Sequence, residues 1–240
     1  MSEDTRLNEW FVPKFGPPKF RVFVGLMFLP YTGMCVSFTI LGSMVASVIA
    51  WDRVAALSLI YGLALGLSAH AADNLGSKKK PWGKHFSSKD LWLIMFLALI
   101  AAYSIASYYI IYRVPNLLIV AILEGFFVFA YNLEIFKGTL HNNLCFIFSW
   151  GILPVLAGYI MQTNTIGILP IMLSALAGII SYVHIRISRE YKELKRHAIE
   201  PRCKKLEVYL KLISFGTIAV GLISVWIRAS AEPNFNLRLI

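Results

Sequence analysis

The chain has 240 residues, of which 58% are hydrophobic and only 15% charged, and its mean hydropathy is +0.65. A soluble domain averages about 25% charged residues with about half of its residues apolar, so this composition excludes an ordinary water-soluble globule. The formal net charge of +10 is not read as a nucleic-acid signature, because no aromatic–basic recognition module interrupts the apolar runs.

The opening stretch, MSEDTRLNEWFVPKFGPPKF, places acids first and prolines at 13, 17 and 18. It is expected to be a cytoplasmic segment (1–21) and not a cleavable signal peptide, whose positive start leads straight into an apolar core. Apolar runs of about 20 residues follow, each long enough to cross a hydrocarbon core of about 30 Å. They fall at 22–47, 54–74, 91–112, 116–136, 143–162, 165–187 and 207–228, ahead of a tail at 229–240. The runs are continuously apolar and lack the alternation of a barrel strand, so the spans are helices. Short gaps predict one domain over 1–240: an all-α, polytopic transmembrane helical bundle of about seven spans. Glycines and prolines inside the spans, among them Pro30, Pro154 and Gly158, suit close helix approach or local kinks.

Basic residues sort the connections. Of the 23 lysines and arginines, 19 lie in the N-terminal segment, in the loops after spans two and four, and in the stretch from Arg186 to Lys211 that follows the apolar body of span six. Only Arg53, Arg113, Arg228 and Arg238 belong to the other side. This bias predicts a cytoplasmic N-terminus, cytoplasmic polar loops and an outside C-terminus.

Polar groups at span ends carry the functional expectations, because charge within a membrane is expensive. Span two ends in HAADNLGSKKKPWGK, with His70 one helical turn before Asp73, then Asn74, Gly76, Lys78, Lys79, Lys80 and Lys84. Gly76 is expected to end the helix in a left-handed turn. Asp73 and the lysines suit a diphosphate held through Mg2+, with the acid as oxygen ligand and the ammonium groups neutralising the remaining charge. The same residues also suit a simple aspartate–lysine pair inside a topological charge cluster. Span four ends in Tyr131, Asn132, Glu134, Lys137 and His141, where Glu134 and Lys137 have the spacing of a helix-end ion pair. Span six runs into Arg186, Arg189, Glu190 and Glu193. Glu124, in the middle of span four, is expected either to pair across the bundle or to stay protonated.

Other chemistries find little support. There is no HExxH, CxxC, GxSxG or Walker loop, and Cys35, Cys145 and Cys203 fall singly, as ordinary small residues do.

Three polar loops on one face, with the stretches HAADNLGSKKKPWGK (70–84), YNLEIFKGTLHNN (131–143) and WGILPVLAGYI (150–160), resemble the UbiA superfamily of intramembrane prenyltransferases over about residues 20–225. The resemblance implies a helical cavity open to lipid, in which a prenyl diphosphate is bound through magnesium and its chain passed to a membrane acceptor. It makes Asp73 the first motif's metal ligand, with Glu134 and Glu190 as further metal-binding positions. His70 and His141 join Asp73 as catalytic positions. Asn74, Lys78, Lys79, Lys80, Lys84, Tyr131, Lys137, Arg186 and Arg189 would bind substrate. The departures are Ala69 and Ser77, where the family carries asparagine and a second aspartate, and ISREYKELKR, where its second motif is aspartate-rich. The family usually has nine spans, against seven read here. These departures motivate an alternative, a UbiA-like protein without catalysis that serves as a lipid-binding or structural subunit among partner membrane subunits.

Overall fold

The computed structural model describes residues 6–77, 82, 85–197 and 199–231, and among them every regular element is helical. The principal helices are α1 (Pro18–Met44), α2 (Trp51–Gly76), α3 (Ser88–Tyr112), α4 (Leu117–Ala130), α5 (Asn143–Thr163), α6 (Ile168–Arg196) and α7 (Glu200–Ala231). All but α4 are long and apolar enough to cross a membrane. The expectation of seven spans thus becomes six, plus one shorter apolar helix of 14 residues. At 1.5 Å per residue, 14 residues rise only about 21 Å. The predicted fourth span, 116–136, stops early because Glu134, Phe136 and Lys137 all adopt positive φ, a conformation that L-residues do not propagate as a helix. In the other direction, α6 and α7 outrun their predicted spans and carry charged turns beyond the apolar body.

Helix α1 lies at the centre and packs most extensively against α5 and α7. Its contact with α5 is backbone on backbone: a Cβ at Gly42 would collide with the Val155 carbonyl, and one at Gly158 with that of Thr39. Ser43 Oγ fastens the seam by donating to Thr39 O and Gly158 O at 3.0 and 3.2 Å. Such small-residue contacts let helices approach closely where lipid provides no hydrophobic drive. Around this centre, α3, α4, α6 and α7 turn outward an apolar belt that includes Leu93, Ile100, Ile119, Ile179 and Leu222.

Two irregularities shape the end of the bundle that carries the polar loops. Within α1, Phe28 is left-handed at φ 44°, ψ 51°, two residues before Pro30. Proline supplies no N–H, so the helix restarts there. At the end of α2, Gly76 is still helical and the cap is Ser77 in an extended conformation. The expected left-handed glycine turn is not formed. Gly76 instead matters for contact, since a Cβ there would strike the Asn132–Leu133 backbone, so the end of the first polar stretch rests directly on the second.

At the opposite end, arginines bind backbone carbonyls at and just beyond helix ends. Arg53 donates to Met161 O and Gln162 O at 3.1 Å, and Arg228 to Ala46 O at 2.7 Å.

Candidate functional site

The N-terminal segment, the broken α1, the end of α2, the 131–142 connection and the inner face of α6 enclose a cavity of about 240 Å³. Its floor is aromatic. The His70 ring stacks on Phe28 (centroids 4.8 Å, 23°) and leans on Trp150 at 5.3 Å, and Trp150 stacks on Phe146 at 5.4 Å. The left-handed Phe28 supplies one wall of this floor. Trp150 belongs to a π-helical stretch of α5 (Phe148–Ile152), and a second such stretch, Gly62–Ala69, leads into His70. Single π-turns inside α-helices are frequent at functional sites because they re-aim side chains.

Both histidines are held by their Nδ1 atoms. His70 Nδ1 lies 3.3 Å from Gly66 O, and His141 Nδ1 lies 3.0 Å from Tyr131 O. A carbonyl only accepts, so in each bond the imidazole donates from Nδ1, and Nε2 is the nitrogen left for other contacts. His141 also stacks on Tyr131, with centroids 4.4 Å apart. Burial, and secondarily the Asp73 charge, pushes the Tyr131 phenol above its ordinary range, with Arg189 as its hydrogen-bond partner. Tyr131 therefore remains a protonated phenol.

The rim is cationic. Arg189, Lys192 and Arg196 line the cavity from α6 and Arg6 from the N-terminal segment, against one carboxylate, Asp73. Arg6 sits over the Phe28 and Trp82 rings at 5.6 and 5.9 Å, and Lys192 over Phe28 at 5.9 Å. Burial lowers the Arg6 pKa, while Asp73 and then Glu9 oppose that shift.

The segment carrying Arg6 is tied down on both sides. The Arg21 guanidinium donates to Leu7 O at 3.0 Å and Pro13 O at 2.7 Å. The buried Glu9 carboxylate accepts from Lys195 Nζ at 2.9 Å and Tyr191 Oη at 3.0 Å.

Of the residues expected from the sequence, the fold brings His70, Asp73, Tyr131, His141 and Arg189 together in this cavity. Asn74 is buried beside them, with an Oδ1 that lacks a partner among the described residues. Arg186 points away and lies over the Tyr182 ring at 5.9 Å. Glu190 is in an ion pair with Arg202 of α7 on the surface. Glu134 and Lys137 occupy the positive-φ turn outside the cavity lining and make no ion pair with each other. Lys78, Lys79, Lys80 and Lys84 lie outside the described residues.

Three cations were missed from the sequence. Lys192 and Arg196 follow Arg189 at three and seven residues, the stride of one helix face, and that periodicity would have found them. Arg6 had no comparable signal, because only tertiary folding carries it to this end of α6.

Magnesium asks for more oxygen than this site brings. Asp73 is the single carboxylate of the cavity lining, and among the described residues no group of three His, Cys, Asp or Glu is placed to hold a metal. Mg2+ is ordinarily held by one or two carboxylates together with substrate phosphates. Here the one carboxylate shares its cavity with four cations, so the residues do not fit an ion held by the protein itself.

Glu124 proves to be paired across the bundle: Tyr61 Oη donates to its Oε1 at 2.8 Å, leaving Oε2 without a partner among the described residues. The pair lines a separate apolar cavity of about 50 Å³ between α2, α3 and α4. Tyr61→Phe deprives Glu124 of that donor and is expected to cost about 1–3 kcal/mol, read as a lower thermal midpoint in detergent. Unchanged stability would show that the bond contributes nothing.

No family model, no curated protein and no solved structure matches this chain.

Proposed function

We propose that this chain is a UbiA-like intramembrane prenyltransferase that takes an isoprenyl diphosphate from the membrane and passes its chain to a membrane-borne acceptor. The supporting observation is one juxtaposition: a cationic rim of Arg6, Arg189, Lys192 and Arg196 directly above an aromatic floor of Phe28, His70, Phe146 and Trp150. A diphosphate needs the first, and an allylic group losing its diphosphate needs the second, because the negative faces of aromatic rings stabilise a nearby cation. The positive-inside bias supports a cytoplasmic location for this end of the bundle.

In the reaction the allylic C1–O bond breaks and its electron pair leaves with the diphosphate, whose growing charge the guanidinium and ammonium groups stabilise. C1 then bonds to the acceptor's nucleophilic atom, and the proton that atom gives up passes to Nε2 of His141. The Tyr131 phenol, held protonated, positions the acceptor by hydrogen bonding. Lipid and aromatic walls keep water from the cation.

The test is incubation of the purified protein with radiolabelled geranylgeranyl diphosphate and a membrane-lipid extract. Movement of label into the lipid fraction with release of pyrophosphate is the expected result. If the diphosphate neither binds nor is consumed, the proposal fails.

A second reading, binding without transfer in a structural or lipid-binding subunit of a membrane complex, draws on Glu190. That acid, expected in a second metal-binding motif, is paired with Arg202 on the surface. Under this reading the diphosphate binds and is recovered unchanged, and the protein purifies with other membrane subunits at fixed stoichiometry.

A further inference from the structure

We propose that the cations of this cavity grip the diphosphate headgroup directly, with no magnesium ion between protein and phosphate. The inference rests on the prenyl diphosphate reading above and concerns how that headgroup is held.

The first argument is charge. Four cationic side chains against one carboxylate leave a surplus of three positive charges in one cavity. Among the described residues, none of Arg6, Arg189, Lys192 and Arg196 reaches a carboxylate within the 4.0 Å of an ion pair. Other basic groups nearby are satisfied, Lys195 by Glu9 and Lys211 by Glu207.

The second argument is geometry. Arg6 and Lys192 come from segments far apart in sequence and converge on the same Phe28 ring, at 5.6 and 5.9 Å. Like charges gathered at one ring repel, and the repulsion is tolerated because the Arg21 and Glu9 contacts hold the N-terminal segment in place. An anion between two such groups removes the repulsion. Guanidinium groups also match phosphate oxygens in pairs, which a compact metal ion does not need and a metal-free site does.

The third argument concerns Asp73. If it held magnesium, its carboxylate would be indispensable for binding. In a direct cation grip it is a counter-charge that reduces attraction for the headgroup, so the two arrangements predict opposite signs for the same substitution.

The experiment measures binding of geranylgeranyl diphosphate, and separately of inorganic pyrophosphate, to the detergent-purified full chain by calorimetry, once with EDTA and once with magnesium. We expect affinities that agree within a factor of a few between the two conditions. Asp73→Asn is expected to tighten binding several-fold through the lost repulsion. Arg6→Gln is expected to weaken it roughly tenfold or more, the effect of one charge-assisted hydrogen bond. Binding that appears only with magnesium, or an Asp73→Asn protein that loses its affinity, overturns the inference and leaves the prenyltransferase proposal standing. If neither ligand binds under either condition, both fall. Binding of pyrophosphate alone supports the direct grip and overturns the prenyl headgroup as its source. The metal comparison uses the unaltered protein, so it does not depend on any variant folding.

Discussion

Changing Arg189 and Lys192 together to glutamine is expected to weaken geranylgeranyl diphosphate binding about a hundredfold or more while leaving the protein folded. Each side chain contributes a charge-assisted contact to phosphate, and such contacts are worth about 1.5–3 kcal/mol each. Two of them amount to roughly 3 kcal/mol at least, which is about a hundredfold in affinity. Stability is expected to fall by no more than the one hydrogen bond that Arg189 makes with Tyr131, because neither cation has a carboxylate partner within ion-pair distance among the described residues. The substitutions therefore strand no buried charge, and removing two like charges relieves repulsion. Lys204→Gln, whose exposed ammonium pairs with Glu200 on the surface of α7, serves as the control for nonspecific loss of positive charge. Calorimetric titration of the three proteins decides the matter. A double variant that binds as tightly as the parent would remove the α6 cations from the site and with them the basis of the functional proposal.

How much of this was legible in the sequence depended on the range of the interaction involved. Helical spans were readable because each is a continuous apolar run, and lipid leaves the backbone few other ways to satisfy itself. The fourth run misled: its apolar residues continue to Phe136, yet the backbone turns left-handed at Glu134. That turn allows Asn132 and Leu133 to rest on Gly76, and hydropathy carries no information about such a contact. His70 and Asp73 were identified from spacing along one helix end, and the fold gathers them with Tyr131, His141 and Arg189. Arg186 was expected to share the role of Arg189, but three residues along α6 placed it over Tyr182. In the sequence Arg6 reads as one basic residue among the four of the N-terminal segment. Its position depends on Arg21, Glu9 and Lys195 acting at once, and no local pattern in the chain encodes that combination.

Gly158→Leu is expected to be the most disruptive single change in the bundle, lowering stability by about 3 kcal/mol or more. Any Cβ at this position meets the Thr39 carbonyl and the Ser43 backbone nitrogen. Those atoms belong to the helix backbone and cannot rotate aside as a side-chain tip would. Helix α1 must therefore move away from α5, which breaks the Ser43 hydrogen bond to Gly158 O and opens voids along the central seam. The damage extends to the proposed site, since Phe28 and Tyr31 line the cavity from α1 and Trp150 lines it from α5. Separation of the two helices would part the aromatic floor, so headgroup binding and thermal stability should fall together. Gly216→Ala provides the contrast. A Cβ there meets nothing within 4 Å, and alanine favours the helix by about 0.8–1.0 kcal/mol over glycine, so that variant should match or exceed the parent's thermal midpoint. Thermal unfolding in detergent, run beside the binding titration, separates the two cases. If Gly158→Leu melts and binds like the parent, the α1–α5 seam is not what holds the cavity in shape.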